Sequence, residues 1–254
     1  MMVGIRELKK RTRYFLHGDK TLPGYAADGL RTTNKNTSFM DEPQFAAAWT
    51  IAEEGNREAW RKRGRVPDVR WRAHTCCWAA SRALLLEGDF VEFGVNAGLL
   101  SMTVCRYLGF EALDRKFWLF DTFDGIPHGH MTDVERRLTT QRNTGIYEDV
   151  FEVAKRNFAP FPNAHLIRGV LPDTLEGVPL GNIAYLSIDL NVAQYEKECI
   201  ERVWDNLVLG ATIVLDDYAF RGSEEQNAMW NDFARKNGQA ILTLPTGQGV
   251  IVVQ

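Results

Sequence analysis

Two short apolar runs late in the chain, IAYLSI (183–188) and ATIVL (211–215), both end in acid: Asp189 follows the first, Asp216 and Asp217 the second. Such runs read as buried strands, and ligands of open α/β sheets gather at the carboxyl ends of strands. If the two strands are neighbours, three carboxylates converge at one edge of the sheet. Three anions at close range repel and raise one another's pKa, and a divalent cation relieves that repulsion. An all-oxygen site suits Mg²⁺ or Ca²⁺ rather than Zn²⁺. The structural alternative is that Asp189 and Asp216 cap helices and Asp217 is solvated.

A second chemical group lies upstream. The run DFVEF (89–93) leads into Gly94, Val95, Asn96, Ala97 and Gly98, with a helix opening near Leu99. A loop of this kind after a first strand lets a ligand approach the backbone and aims helix N–H groups at it. The dinucleotide fingerprint G-x-G-x-x-G fails here, because Asn96 and Leu99 stand at its second and third glycine positions. Glu92 also places negative charge where a pyrophosphate would sit, and suits a ligand with a positive group such as an amino-acid ammonium. The run KFWLF (116–120) ends at Asp121, positioned to accept hydrogen bonds from ribose hydroxyls; alternatively, Asp121 caps the following turn. Glu92, Gly94, Gly98 and Asp121 together favour a nucleoside joined to an amino acid without phosphates. S-adenosylmethionine fits that description.

These groups need elements to carry them. From residue 89 the chain alternates short apolar runs with helical patterns. Strands are predicted at 89–93, 116–120, 165–168, 183–188, 211–215, 240–244 and 249–253, and helices near 98–110, 147–158, 192–207 and 224–236. The pattern predicts an α/β fold with a seven-stranded, mostly parallel sheet covered by helices on both faces. Only four residues separate the last two runs, too few for a parallel crossover, so the sheet must end in an antiparallel hairpin. Upstream, Asp41 is a plausible N-cap with Pro43 just inside a helix bearing Phe45, Ala48, Trp49 and Ala52 at helical spacing. A second helix from about Val69 to Glu87 places Trp71, Thr75, Trp78 and Leu85 on one stripe. The tryptophans Trp49, Trp71 and Trp78 read as core or subunit-interface anchors, and the basic link between the helices (Arg57, Arg61, Lys62, Arg63, Arg65) as a solvated face. Residues 1–40 read as an arm that docks on something. Residues 1–88 are read as a cap or interface region rather than an independent domain, and 89–254 as the ligand-binding domain.

The 254 residues are 45% hydrophobic and 25% charged, with 30 Lys+Arg against 33 Asp+Glu for a net charge of −3. That balance fits a globular protein and gives no electrostatic footprint for nucleic acid. No run approaches the roughly 18 apolar residues of a membrane span. The first twenty residues are charged throughout, without an apolar signal core. Cys76, Cys77, Cys105 and Cys199 show no C-x-x-C pair and no zinc spacing, so the expectation is reduced thiols in the cytoplasm.

The runs DFVEFGVNAGLLSM, FDTFDGIP (120–127), LIRGVLPDTL (166–175) and LDDY (215–218) resemble, in order and spacing, the macrocin O-methyltransferase (TylF-type) family. The likeness spans about residues 88–254. It implies a class I, Rossmann-like methyltransferase fold and an S-adenosylmethionine-dependent, Mg²⁺-dependent enzyme that methylates a hydroxyl of a sugar or glycosylated natural product. By this resemblance Glu92, Gly94, Gly98 and Asp121 match cofactor-binding positions. Phe93, Asn96, Ser101, Thr122 and Gly169, in or beside the same motifs, are expected to join them. Asp189, Asp216 and Asp217 match metal positions, and Asp189 also the general base. The GVNAG loop and the LNVAQYEKE stretch after Asp189 depart from the usual family pattern, which leaves the acceptor open.

The stretch 122–147 is long for a connection and is expected to act as a lid. Its His128 and His130, with Tyr218 beyond the acidic pair, are candidate acceptor-binding residues; exposed loop histidines and a packing tyrosine are the plainer alternatives. Arg136, Arg137 and Arg142 could meet an anionic acceptor. The expected partners are a small-molecule or glycan acceptor and a second copy of the chain. Competing functions are methylation of a catechol-type phenol, an NAD-dependent oxidoreductase, and a scaffold that keeps the fold without catalysis.

Overall fold

The structure, a computed structural model, describes residues 24–33, 35–129, 131–145 and 149–254, so His130 and most of the arm lie outside the described residues. Its organising feature is a seven-stranded sheet. In chain order the strands are β3 (Asp89–Phe93), β4 (Phe117–Asp121), β5 (Ala164–Arg168), β6 (Ile183–Ile188), β7 (Leu207–Leu215), β8 (Leu242–Thr243) and β9 (Gly249–Val252), after a small hairpin of β1 (Ala26–Ala27) and β2 (Leu30–Arg31). The spatial order is β5-β4-β3-β6-β7-β9-β8. The first five are mutually parallel, and β9 runs antiparallel to β7 and β8. The terminal hairpin inferred from the four-residue link is therefore present, with its second strand placed inside the sheet.

The chain moves outward from β3 to β5, then returns to lay β6 against the other side of β3. This reversal makes a crevice at the carboxyl ends of β3 and β6, where an open α/β sheet binds its ligand. The strands are apolar on both faces because helices cover both. One core lies between the sheet and α1 (Pro43–Asn56), α2 (Arg70–Ala83), α3 (Leu99–Leu108) and α5 (Phe151–Phe158); the other packs under α6 (Ala193–Val203) and α7 (Glu224–Lys236). Residues upstream of the sheet thus share its hydrophobic core.

Three expectations need correction. Asp41 closes a short 3₁₀ turn (Ser38–Asp41), and Glu42 occupies the N-cap of α1 without a side-chain cap bond; Pro43 is in the first turn as expected. Helix α2 stops at Ala83, where the Arg115 guanidinium collects the carbonyls of Ala83, Leu84, Leu86 and Gly88. Such a cluster satisfies the orphan acceptors of a helix end. The buried stripe of α2 is Ala73, Cys76, Cys77, Ala79, Ala80 and Ala83, while Trp78 is 47% and Leu85 85% exposed. Small side chains let this helix lie close to the sheet, and an indole on that face would hold it off. Within 122–147 the chain is not a bare loop: α4 (Asp133–Gly145) occupies half of it.

Candidate active site

A cleft of about 350 Å³ opens at the β3/β6 reversal. Glu92, Gly94, Asn96, Asp121, Thr122, Gly169, Asp189, Asp216 and Asp217 all line it. Two separate runs of the chain meet there because Gly94 permits it. Gly94 has φ +88°, and a Cβ at that position would stand 2.0 Å from the carbonyl oxygen of Asp189. The Asp189 amide donates to the Phe93 carbonyl at 2.8 Å and the Gly94 amide to the Phe120 carbonyl at 2.9 Å. The glycine loop is therefore pinned between β4 and the end of β6.

The loop's clasp is Asp121. One carboxylate oxygen accepts the backbone amides of Val95 and Asn96 at 2.6 and 2.7 Å. The other accepts the Phe123 amide at 2.6 Å and the Thr122 hydroxyl at 3.3 Å. Asn96 and Phe123 both carry positive φ, 52° and 56°, as does Asn191 at 61°. A positive φ at a bulky residue is costly, and such residues collect where a site demands a particular backbone path. All three line the cleft. The Asn96 side-chain oxygen is buried without a partner in the protein, an acceptor awaiting a donor. Glu92 is 3% exposed. Burial pushes its pKa well above the ordinary carboxylate range, the charges of Asp216 and Asp121 add to the shift, and the Ser101 hydroxyl opposes it. A cationic group delivered into the cleft would favour its ionised form.

On the other side, oxygens of Asp189, Asp216 and Asp217 all lie within 4.8 Å of one another. Burial raises the Asp189 pKa well above its usual range; the neighbouring Asp216 and Asp217 charges add to that, and Arg72 works against it. The Asn191 amide donates to the Asp189 carboxylate at 2.9 Å. Asp216, 1% exposed, accepts Gln248 Nε2 at 3.0 Å on one oxygen and is paired with Arg72 on the other. Each carboxylate oxygen retains a further lone pair. Three carboxylates whose oxygens gather this closely form a hard, all-oxygen donor set that fits Mg²⁺ or a similar divalent ion.

The other expected site residues fall in different places. Phe93 is fully buried core, packed edge-on against Phe120 at 5.6 Å. Gly98 holds the entrance of α3 in a left-handed conformation, with the Phe158 ring where a Cβ would be. Ser101 lies beneath the loop against Glu92. Tyr218 is 5% exposed and donates to Asn231 at 2.9 Å, a packing position; Phe220 lines the cleft instead. His128 is exposed and not among the cleft residues. Sequence reasoning missed Arg72, Asn191 and Gln248. Arg72 sat in a helix read for its tryptophans, and Gln248 in a turn read only for its length, so neither carried a local signal.

An open β5-β4-β3-β6-β7-β9-β8 sheet with a glycine loop and an acidic cluster across its reversal point defines the class I O-methyltransferase fold. Solved relatives agree in architecture: the O-methyltransferase NovP superposes with a TM-score of 0.64 at 18% identity, covering 81% of this chain and 88% of that one. The calicheamicin methyltransferase CalS11 gives 0.56 at 18% identity, covering 92% and 99%. The chain belongs to the macrocin-O-methyltransferase (TylF) family, whose pattern matches residues 68–243. A Streptomyces olivaceus protein, 8-demethyl-8-(2,3-dimethoxy-alpha-L-rhamnosyl)-tetracenomycin-C 4'-O-methyltransferase, is 29% identical over 145 residues, 53% of this chain and 54% of the relative. Demethyldecarbamoylnovobiocin O-methyltransferase of Streptomyces niveus is 26% identical over 144 residues, 52% of this chain and 53% of the relative. The chain thus spans about half the length of the curated relatives it matches. Among the described residues no helix is long and apolar enough to cross a membrane.

Proposed function

We propose that this protein transfers a methyl group from S-adenosylmethionine to a hydroxyl of a sugar or glycosylated natural product, with a divalent cation held by Asp189, Asp216 and Asp217. The observation that carries the reading is the meeting of those three carboxylates with the glycine loop in one cleft. The relatives named as O-methyltransferases of a rhamnosyl-tetracenomycin and of demethyldecarbamoylnovobiocin support the acceptor class.

The chain's own groups divide the work. Glu92 and the unpartnered Asn96 oxygen suit the ammonium of the cofactor's methionine end, and Thr122 and Gly169 line the wall beyond the Asp121 clasp. When bound, S-adenosylmethionine supplies an electrophilic methyl on a cationic sulfur that departs as a neutral thioether, so that side needs no acid. Asp189, Asp216 and Asp217 would hold a divalent cation, which when bound would lower the pKa of an acceptor hydroxyl. Asp189 takes the hydroxyl proton, its carboxylate steadied by Asn191. Segment 122–147 acts as the lid. Its Glu135 accepts the Ala193 amide at 2.8 Å and so caps α6, the helix that follows Asp189.

The decisive experiment is calorimetry with S-adenosylhomocysteine and Mg²⁺, followed by methyl transfer to a panel of deoxysugar glycosides. Binding of both and EDTA-sensitive turnover are expected. Failure to bind S-adenosylhomocysteine, or full turnover in EDTA, overturns the reading. Cytoplasmic residence and homo-oligomeric assembly belong to the same proposal: all four thiols are free and buried, and Trp78 and Leu85 are left exposed on the α2 side. Light scattering in solution reads the assembly.

A further inference from the structure

The hairpin before the first helix reaches the carboxylate cluster through one arginine. Asp28 and Gly29 join β1 to β2 with φ of 52° and 73°, as a two-residue type I′ turn requires. Tyr25 docks the hairpin on α2: its ring meets Trp71 edge-on at 5.6 Å and its hydroxyl donates to the Asp68 carbonyl at 2.7 Å. The residue after Trp71 is Arg72. Its Nε and Nη2 face the Asp28 carboxylate at 2.7 and 3.1 Å, and its Nη1 pairs with Asp216. The Phe220 ring lies 5.3 Å from the guanidinium carbon. The side chains of Arg72 and Asp28 are only 17% and 18% exposed.

We propose that Arg72, clamped by Asp28 and backed by Phe220, is a positioning residue that fixes the Asp216 carboxylate for divalent-cation binding, so that docking of the hairpin is a requirement of the site. This rests on the reading of the cluster as a cation site. An unrestrained carboxylate turns freely about its last bond; Arg72 on one oxygen and Gln248 on the other set its plane. Asp28 stands outside the cluster and occupies the opposite edge of the guanidinium, which keeps Arg72 from swinging onto Asp189 or Asp217. The planar fork of arginine spans two carboxylates at once, and a lysine ammonium lacks that reach.

The test is calorimetric titration of Mg²⁺ and Mn²⁺ into the full chain and its Arg72→Gln, Arg72→Lys and Asp28→Asn variants, each checked for fold by circular dichroism. Loss of a group that orients a metal ligand costs about 10- to 100-fold in affinity. Arg72→Gln is expected in that range, with Asp28→Asn weaker by a smaller factor and Arg72→Lys between the wild type and Arg72→Gln. The Asp28→Asn/Arg72→Gln double variant should bind no worse than Arg72→Gln, because Asp28 acts through Arg72. S-adenosylhomocysteine affinity should not move. Equal or tighter cation binding by Arg72→Gln, or additive losses in the double variant, overturns the proposal. If Arg72→Gln fails to fold, Asp28→Asn, which keeps the side chain's shape and a residue tolerant of the turn's positive φ, decides alone, and unchanged affinity there overturns it. A wild-type protein that binds neither ion overturns the reading of the cluster itself, and the role of Arg72 with it.

Discussion

Asp121 and Asp189 close the two strands that flank β3, yet the chain treats their carboxylates in opposite ways. Asp121 spends both oxygens on backbone amides of its own loop and the glycine loop. It is a structural clasp that shapes a cradle. Asp189 has one amide donor from Asn191 and two acidic neighbours, and its protonation is favoured by burial and by their charge. The first carboxylate is satisfied before any ligand arrives; the second is buried beside two further carboxylates whose charges resist its ionisation. A fold can thus build a binding cradle and a reactive centre from the same residue type at equivalent strand ends, by changing only what faces the acid. Gly94 is the joint between them.

The largest effect should come from breaking the reactive side. Asp189→Asn removes the proposed base and one cation ligand, and a base of this kind contributes about 10²- to 10⁴-fold in rate. Turnover should fall by that order, while S-adenosylhomocysteine titrates into the variant with wild-type affinity. Loss of cofactor binding instead would mean that the two sides are not separable. Next is the joint itself. Gly94→Ala drives a methyl into the Asp189 carbonyl and adds backbone strain at φ +88°. Overpacking of this kind costs about 1–3 kcal/mol, and both cofactor and cation affinities should drop together. A variant that loses only one of them would break the comparison at its hinge.

A one-sided effect is expected from the clasp. Asp121→Asn keeps one acceptor oxygen and turns an NH₂ group either toward the Val95 and Asn96 amides or toward the Phe123 amide and Thr122 hydroxyl. Hydrogen bonds to charged groups are worth about 1.5–3 kcal/mol, so the melting temperature should fall and S-adenosylhomocysteine binding weaken about tenfold. Mg²⁺ binding should stay as in the wild type. Equal damage to both affinities would show that the clasp serves the whole cleft.

Much of this division could be read from the chain before any coordinates. The acids sit immediately after apolar runs, and strand alternation with a four-residue final link fixes a mostly parallel sheet with a hairpin end. What the one-dimensional pattern lacked was strand order, and with it the fact that β6 lies beside β3, which brings Asp189 onto Gly94. The sequence offered Asp121 either as a ribose acceptor or as a cap of the following turn; that its carboxylate also holds the amides of the glycine loop at the cleft wall is a long-range contact that spacing does not spell out. Arg72 and Gln248 approach Asp216 across separations of 144 and 32 residues. No local spacing encodes such contacts; they follow from how α2 and the terminal hairpin are laid on the sheet. The face of α2 against the sheet carries alanine and cysteine because the helix approaches closely, and of the bulky residues read as core or interface anchors Trp78 is left exposed.

The gentlest probe of the comparison is pH. Glu196 on α6 is 3% exposed and accepts Trp230 Nε1 at 2.7 Å and Gln226 Nε2 at 2.8 Å. Burial pushes its pKa up to about 7, with the Asp217 charge adding, so it is a second acid whose ionised form the reactive side disfavours. A carboxyl whose folded pKa lies above its unfolded value binds its proton more tightly when folded. Its contribution is fully present below the unfolded value, near 4.5, and is lost as pH rises through about 7. The raised pKa of Asp189 acts in the same direction. The ion-free protein should therefore melt at progressively lower temperature from about pH 5 to pH 8, and Glu196→Gln should flatten that slope. Adding Mg²⁺ should flatten it further by favouring the ionised cluster, since metal binding releases protons. A wild-type melting temperature that rises over the same interval in the absence of the ion would show that the acids around α6 are already relieved of their charge conflict, and the contrast with Asp121 would dissolve.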